Sequence, residues 1–148
     1  MQKGKYLESQ IDKLCKYINA VGFHAHKNHP LRTVDGTYLE GEPYDYEIFV
    51  RRNGASYHAC FDAKECMEFS WHMKPKDIKQ AETLKHCKNA GVDAFFLIYF
   101  VPLGALLKID VDDVIAVLQS GSKTVPSTLC KPWDVQSIIN EIRGEKAN

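Results

Sequence analysis

The 148-residue chain has no CxxC pair, and its five cysteines are an odd number with no close spacing. Those absences exclude a disulfide framework and the usual knuckles of structural zinc sites, and they suit a reducing compartment. Excess charge of either sign is also missing. Nineteen Lys and Arg offset nineteen Asp and Glu, so no global field draws the protein onto a polyanion. A nucleic-acid partner would have to be met by a local basic surface. Long apolar runs are missing too: the longest, VDAFFLIYFVPLGALL (92–107), is broken by Pro102 and Gly104. The opening MQKGKYLESQIDKLCKYI scatters charges where a signal peptide needs an apolar stretch. The sequence holds no repeat, low-complexity tract or linker. The expectation is a soluble, cytoplasmic protein of one domain over residues 1–148, without membrane partner or nucleotide cofactor.

Tyr6, Leu7, Ile11, Leu14, Cys15, Ile18 and Val21 recur at helical intervals, and Gly22 follows as a C-terminal cap, which predicts an amphipathic helix. From Phe23 to Pro43 the pattern dissolves into His, Gly, Pro and charge, predicting an ordered loop or arm with a short extended piece in its middle. Two alternating segments then flank Asn53-Gly54, the dipeptide best suited to the positive φ angles of a type I′ hairpin turn. Lys74–Ala90 reads as a helix begun near Pro75 and stopped by Gly91, and Val92–Val101 as a strand buried on both faces. Ala105–Ile109 is its expected antiparallel neighbour. Two short helices, Val111–Gln119 and Asp134–Arg143, flank a segment rich in Lys, Pro, Ser and Thr.

The hairpin turn fixes a register. With Asn53 and Gly54 in the loop, Arg52 faces Ala55, and continuing the ladder sets Asp45 opposite Asp62. Alternation turns Tyr46, Ile48, Val50, Tyr57, Ala59, Phe61 and Ala63 to an apolar face, and Asp45, Glu47, His58, Cys60, Asp62 and Lys64 to a polar one. Directly opposed Cβ atoms lie roughly 4.5–5.5 Å apart, where like charges destabilise a sheet. Two answers are open. The ordinary one is a pair of solvated carboxylates screened by water and by Lys64. The other is a shared hard cation such as Mg²⁺, which takes a few carboxylates, waters and phosphate oxygens. Phosphodiester hydrolysis needs neutralised phosphate charge and an acidified water, both of which such an ion supplies, and the Lys64 ammonium could orient that water or steady the developing oxyanion.

Pro43-x-Asp45 followed by Asp62-Ala63-Lys64 in the paired strand resembles the PD-(D/E)xK nuclease signature. The order around it resembles the same fold over about residues 3–101: a leading helix with Glu8, the acidic hairpin, a helix bearing Gln80, then DAFFLIYF. Within that superfamily, FDAKEC, KQAETLKHCKNAGVDAFFLIYF and KTVP look most like RecU-type Holliday junction resolvases. The resemblance implies a restriction-endonuclease-like α/β core of about residues 3–110, a mixed central sheet flanked by helices, with a helical extension over about 111–148. It implies Asp45 and Asp62 as ligands of Mg²⁺, replaceable by Mn²⁺, with the Ala63 carbonyl as a further ligand and Lys64 as the catalytic lysine. Glu8 is the helix carboxylate reaching the site, or else an ordinary acidic residue favoured by the dipole of its first helical turn. Gln80 is the polar residue on the helix after the lysine; it shares a stripe with Ile78, Ala81, Leu84 and Cys87, where a buried amide needs a partner. Glu47 and Glu65 are secondary candidates, Glu65 being turned to the opposite face.

The implied partner is DNA, branched in the resolvase reading, and the implied assembly a homodimer, because two cuts related by a twofold axis need two active sites. Phosphate contacts would come from Lys27 and Arg32 with the neighbouring histidines, from Arg51 and Arg52, and from Lys74, Lys76 and Lys79, if these flank one groove leading to Asp62; each group is otherwise an ordinary solvated face. Phe69 and Trp71 belong in the core unless they stack on a base or close the site. His24-x-His26-xx-His29 with Cys60 or Cys66 could hold zinc, but it matches no usual structural spacing, and no Cys/His nucleophile pair is legible. Three readings stand: a Mg²⁺-dependent junction resolvase, another nuclease of the same fold acting on duplex or damaged DNA, and a noncatalytic DNA-binding module.

Overall fold

Leu7, Ile11, Leu14 and Ile18 form one stripe of a helix and all four are buried. In the computed structural model, which describes residues 5–27, 46–52 and 55–133, this helix, α1, spans Lys5–Ala20. Gly22 ends it at φ 92°, a left-handed value that a Cβ would oppose. The Gly22 and Phe23 amides donate to the Asn19 and Ile18 carbonyls, closing the last turn.

The chain then departs from the expected loop. His24–Lys27 is a strand, β1, paired antiparallel with β2 (Tyr46–Arg52) from His24–Phe49 to Lys27–Tyr46. Its sequence HAHK has no apolar alternation, and beyond the buried Ala25 it is the ladder that holds it. Asn19 at the end of α1 assists, its amide donating to the Ala25 carbonyl at 3.0 Å and accepting the Ala25 N–H at 3.1 Å. An edge backbone group is thus satisfied by a side chain. The middle of the expected arm lies outside the described residues.

The hairpin register is as expected. β2 pairs antiparallel with β3 (Ala55–Cys66) from Tyr46–Phe61 to Arg52–Ala55. Along its other edge β3 pairs in parallel with β5 (Asp93–Phe100), from Ala59–Asp93 to Cys66–Phe100. Between them lie β4 (Ser70–His72) and α2 (Pro75–Asn89). A short 3₁₀ turn at Val101–Leu103 and Gly104 at φ 56° reverse the chain into β6 (Ala105–Asp110), antiparallel to β5. Next come α3 (Val111–Gln119), β7 (Thr124–Pro126) and β8 (Lys131–Pro132). The result is a mixed six-stranded sheet in the order β1-β2-β3-β5-β6-β8, with β4 and β7 paired apart from it. The expected helix Asp134–Arg143 lies outside the described residues.

Two apolar clusters sandwich this sheet. On one face Leu7, Ile11, Leu14 and Ile18 of α1 pack on Tyr46, Ile48, Val50, Phe61, Phe95 and Leu97. On the other, Ala81 and Leu84 of α2 and Val111 and Val114 of α3 pack on Cys60, Phe96, Ile98 and Phe100. β5 is therefore covered on both sides, as its unbroken apolar sequence requires. This is the α/β, restriction-endonuclease-like arrangement of a mixed sheet flanked by helices. No helix among the described residues is long and apolar enough to cross a membrane.

Candidate active site

Alternation along β3 turns Phe61 toward α1 and Cys60 toward α2, so Asp62 and Lys64 share the α2 face. Asp62 is fully buried, and with Asp77 it makes up the buried charged side chains among the described residues. Burial of a carboxylate costs several kcal/mol unless charge or hydrogen bonds compensate. Such a group is retained where something positive meets it.

Lys64 reaches across to α2. Its ammonium donates to Gln80 Oε1 at 2.5 Å and pairs with Asp77 Oδ1 at 2.9 Å. Both charged side chains are largely shielded from water. The second Asp77 oxygen accepts the Lys74 backbone N–H at 2.9 Å, closing the start of α2 behind Pro75. One carboxylate thus caps a helix and anchors the lysine, while Gln80, one turn further on, gives its amide oxygen to the same ammonium. The fixed α2 entry holds Lys64 against the sheet.

Asp77 was not singled out from sequence. Its signal was present: Lys74-Pro75-Lys76-Asp77 carries Pro at the first helical position and Asp two residues later, a capping pattern, and Asp77 lies one turn before Gln80. What the sequence lacked was the partner, since Lys64 lies on another element.

Beside this cluster opens a cleft of about 580 Å³ bordered by Lys64, Asp77, Lys74, Lys76, His72 and Trp71. Lys74 and Lys76 are exposed at its rim, and Lys79 is exposed one turn along α2. Glu65 also borders the cleft. Trp71 is buried against Phe96 with ring centroids 4.9 Å apart, so it serves the core, whereas Phe69 is 62% exposed. Glu8 is exposed in the first turn of α1, the helix packed on the opposite face of the sheet. Ala63 turns its side chain toward the α1 cluster, half-buried. Asp45 and Arg32 lie outside the described residues, as do the side chains of Lys27, Arg51 and Arg52.

The histidine loop gives no assembled zinc site among the described residues: the His24 ring packs 5.6 Å from Phe49, while the His26 side chain and His29 lie outside them. A cysteine and a histidine do meet elsewhere, on β3. Cys60 Sγ lies 3.7 Å from His58 Nε2, two residues back along β3, and Glu47 faces Cys60 from β2 as the register required. Burial lowers the His58 pKa below the ordinary imidazole range, partly opposed by the nearby Glu47 carboxylate.

Comparison with known proteins bears on the identity of this arrangement. The family model described as Recombination protein U matches residues 2–141. The chain belongs to the RecU family. That membership bears out the resemblance to PD-(D/E)xK nucleases and, among them, to RecU-type resolvases. A solved structure similar to this RecU-family chain is Hjc of Archaeoglobus fulgidus, a Holliday junction resolvase from an archaeal hyperthermophile. It aligns with 12% identity over 89% of this chain and 98% of that one, at a TM-score of 0.51, a likeness of fold. A nuclease from a fusselovirus aligns with 16% identity over 97% of this chain and 92% of that one, at a TM-score of 0.49. No curated protein matches the chain.

Proposed function

We propose that this RecU-family chain is a Mg²⁺-dependent endonuclease that resolves four-way DNA junctions as a homodimer. The observation that carries the reading is a fully buried Asp62 on the same strand face as a lysine clamped by Asp77 and Gln80, at the edge of a cleft with a basic rim. A buried carboxylate with a neighbouring main-chain carbonyl is an all-oxygen donor set, which fits a hard divalent cation rather than a soft one. Asp62 and the Ala63 carbonyl would hold that cation, with Asp45 proposed as a further ligand; Glu8, exposed on the α1 side of the sheet, is left out of the set. When bound, Mg²⁺ supplies charge neutralisation at the phosphodiester and acidifies the attacking water, with Mn²⁺ able to take its place.

The protein's own groups do the rest. Asp77 and Gln80 leave the Lys64 ammonium little rotational freedom, so it is preorganised to donate a hydrogen bond to the developing oxyanion on the scissile phosphate. Lys74 and Lys76 at the rim attract backbone phosphates and set the strand's position without reading bases. Trp71 closes the cleft floor against the core.

The experiment pairs labelled four-way junction, linear duplex and single strand with wild-type protein in Mg²⁺, Mn²⁺ or EDTA, and with Asp62→Asn. Paired symmetric cuts confined to the junction, abolished by EDTA and by the substitution, are expected. Cleavage of linear duplex at the same rate would point to a different nuclease of this fold, and binding without metal-dependent cutting to a noncatalytic module. Sedimentation of the protein with junction tests the twofold assembly.

A further inference from the structure

The register that opposes β2 and β3 also gathers three side chains the cleavage site does not use. Glu47 faces Cys60 directly across the ladder, and His58 precedes Cys60 by two residues on the same strand face. One carboxylate oxygen, one imidazole nitrogen and the thiol sulfur lie within 4.8 Å of one another. Cys60 Sγ to His58 Nε2 is 3.7 Å and His58 Nε2 to Glu47 Oε2 is 4.0 Å. In a tetrahedral zinc site with Zn–S of about 2.3 Å and Zn–N and Zn–O of about 2.0–2.2 Å, neighbouring ligand atoms stand about 3.3–3.6 Å apart. The two pairs that include His58 stand within about 0.7 Å of that spacing, and the Glu47–Cys60 pair, no more than 4.8 Å apart, closes by at most about 1.5 Å.

We propose that Glu47, His58 and Cys60 form a second metal site that takes Zn²⁺ and ties β2 to β3 beside the catalytic carboxylate. The assignment goes beyond the proposed cleavage chemistry. A thiolate and an imidazole select a borderline-soft ion, whereas the oxygen donors around Asp62 select a hard one, so the two positions discriminate between metals by ligand type. Charge also closes: binding displaces the Cys60 thiol proton to solvent, and the resulting thiolate with the Glu47 carboxylate balances Zn²⁺. The imidazole is already oriented, because the Phe49 ring stacks on His58 with centroids 3.7 Å apart. Cys60 is buried, while the Glu47 and His58 side chains keep 22% and 33% exposure, so the fourth position opens to solvent and is filled by water. Since Cys60 lies two residues from Asp62 on β3, a cross-strand tie here stiffens the strand segment that carries the catalytic carboxylate.

The test uses full-length protein stripped of metal, with Mg²⁺ in large excess so that the oxygen site is filled, then titrated with Zn²⁺ or Co²⁺. One equivalent of Zn²⁺ is expected to be retained and to raise the melting temperature, and one equivalent of Co²⁺ to give a thiolate-to-metal charge-transfer band in the near ultraviolet. Cys60→Ser should remove that band and weaken Zn²⁺ binding by more than about 100-fold. The half-exposed substitutions Glu47→Gln and His58→Gln, which spare the core, should each weaken binding by at least tenfold. Asp62→Asn should leave band and stoichiometry unchanged. Absence of the band at one equivalent, its survival in Cys60→Ser, or its loss in Asp62→Asn would each overturn the proposal, the last by making the thiol part of the cleavage site.

Discussion

Lys64 is held by two groups of different kind, and removing each has a different consequence. Asp77 brings opposite charge in a shielded setting, and Gln80 brings a neutral acceptor. Lys64→Met keeps much of the side-chain volume but leaves the Asp77 carboxylate buried without its cation, at a cost of about 3 kcal/mol in chemical denaturation. Adding Asp77→Asn to that variant should recover a substantial part of the loss, because the amide oxygen still accepts the Lys74 N–H while the uncompensated charge is gone. Activity separates from stability here. If the ammonium is the oxyanion donor, kcat for junction cleavage falls by about 10²–10³ in Lys64→Met and stays low in the double variant. Recovery of kcat along with stability would show that the lysine serves folding alone. Gln80→Leu, which deletes a single acceptor, should lower kcat less than Lys64→Met does.

Between elements, the α2–α3 contact depends on another set of charges. Lys88 pairs with Asp110 at 2.6 Å and Asp112 at 2.7 Å, and Lys85 with Asp112 at 2.5 Å. Hydrogen bonds to Asp110 and Asp112 hold the Lys88 ammonium well above the ordinary lysine range. Asp110 also caps α3, accepting the Asp112 N–H at 2.8 Å. Asp110→Ala should therefore cost about 1–2 kcal/mol, mostly through the lost cap, whereas Asp110→Asn keeps the cap and should cost less than about 1 kcal/mol. Denaturant midpoints at low and high salt separate the two parts: the Asp110→Asn penalty shrinks with salt, and the cap penalty does not.

Which elements the sequence discloses follows from where their determinants lie. Asn53-Gly54 and the alternation around it are local, so the register of the described pairs from Tyr46–Phe61 to Arg52–Ala55 was readable, as was the doubly buried β5. β1 was not readable, because HAHK carries no pattern and depends on a ladder to β2 and on Asn19. The β4–β7 pair was equally hidden: three residues on each strand meet across some fifty positions of chain. The site divides the same way. Asp62 and Lys64 stand two apart on one strand, whereas the contacts of Lys64 with Asp77 and of His58 with Cys60 depend on how α2 docks and on which rotamers the sheet face admits.

Taken whole, the molecule has no net charge, so the proposed affinity for DNA cannot come from an overall field and must come from where its lysines sit. Lys74 and Lys76 border the cleft at the N-terminal end of α2, where the helix dipole adds partial positive charge, and Lys79 follows one turn on. A few phosphate contacts imply a shallow salt dependence, because log K falls with log salt by about 0.9 per phosphate neutralised on duplex arms. Lys74→Gln with Lys76→Gln should reduce that slope by about two and weaken binding to junction and linear duplex by similar factors, since phosphate contacts position a strand without distinguishing its shape. The ratio of the two affinities should therefore survive the substitutions even as both fall. Equilibrium binding by fluorescence anisotropy from low to moderate salt reads slope and ratio together. If the proposed junction preference collapses while duplex binding is retained, these lysines recognise branching rather than phosphate, and discrimination between substrates resides at the cleft rim instead of in the geometry of the proposed twofold assembly.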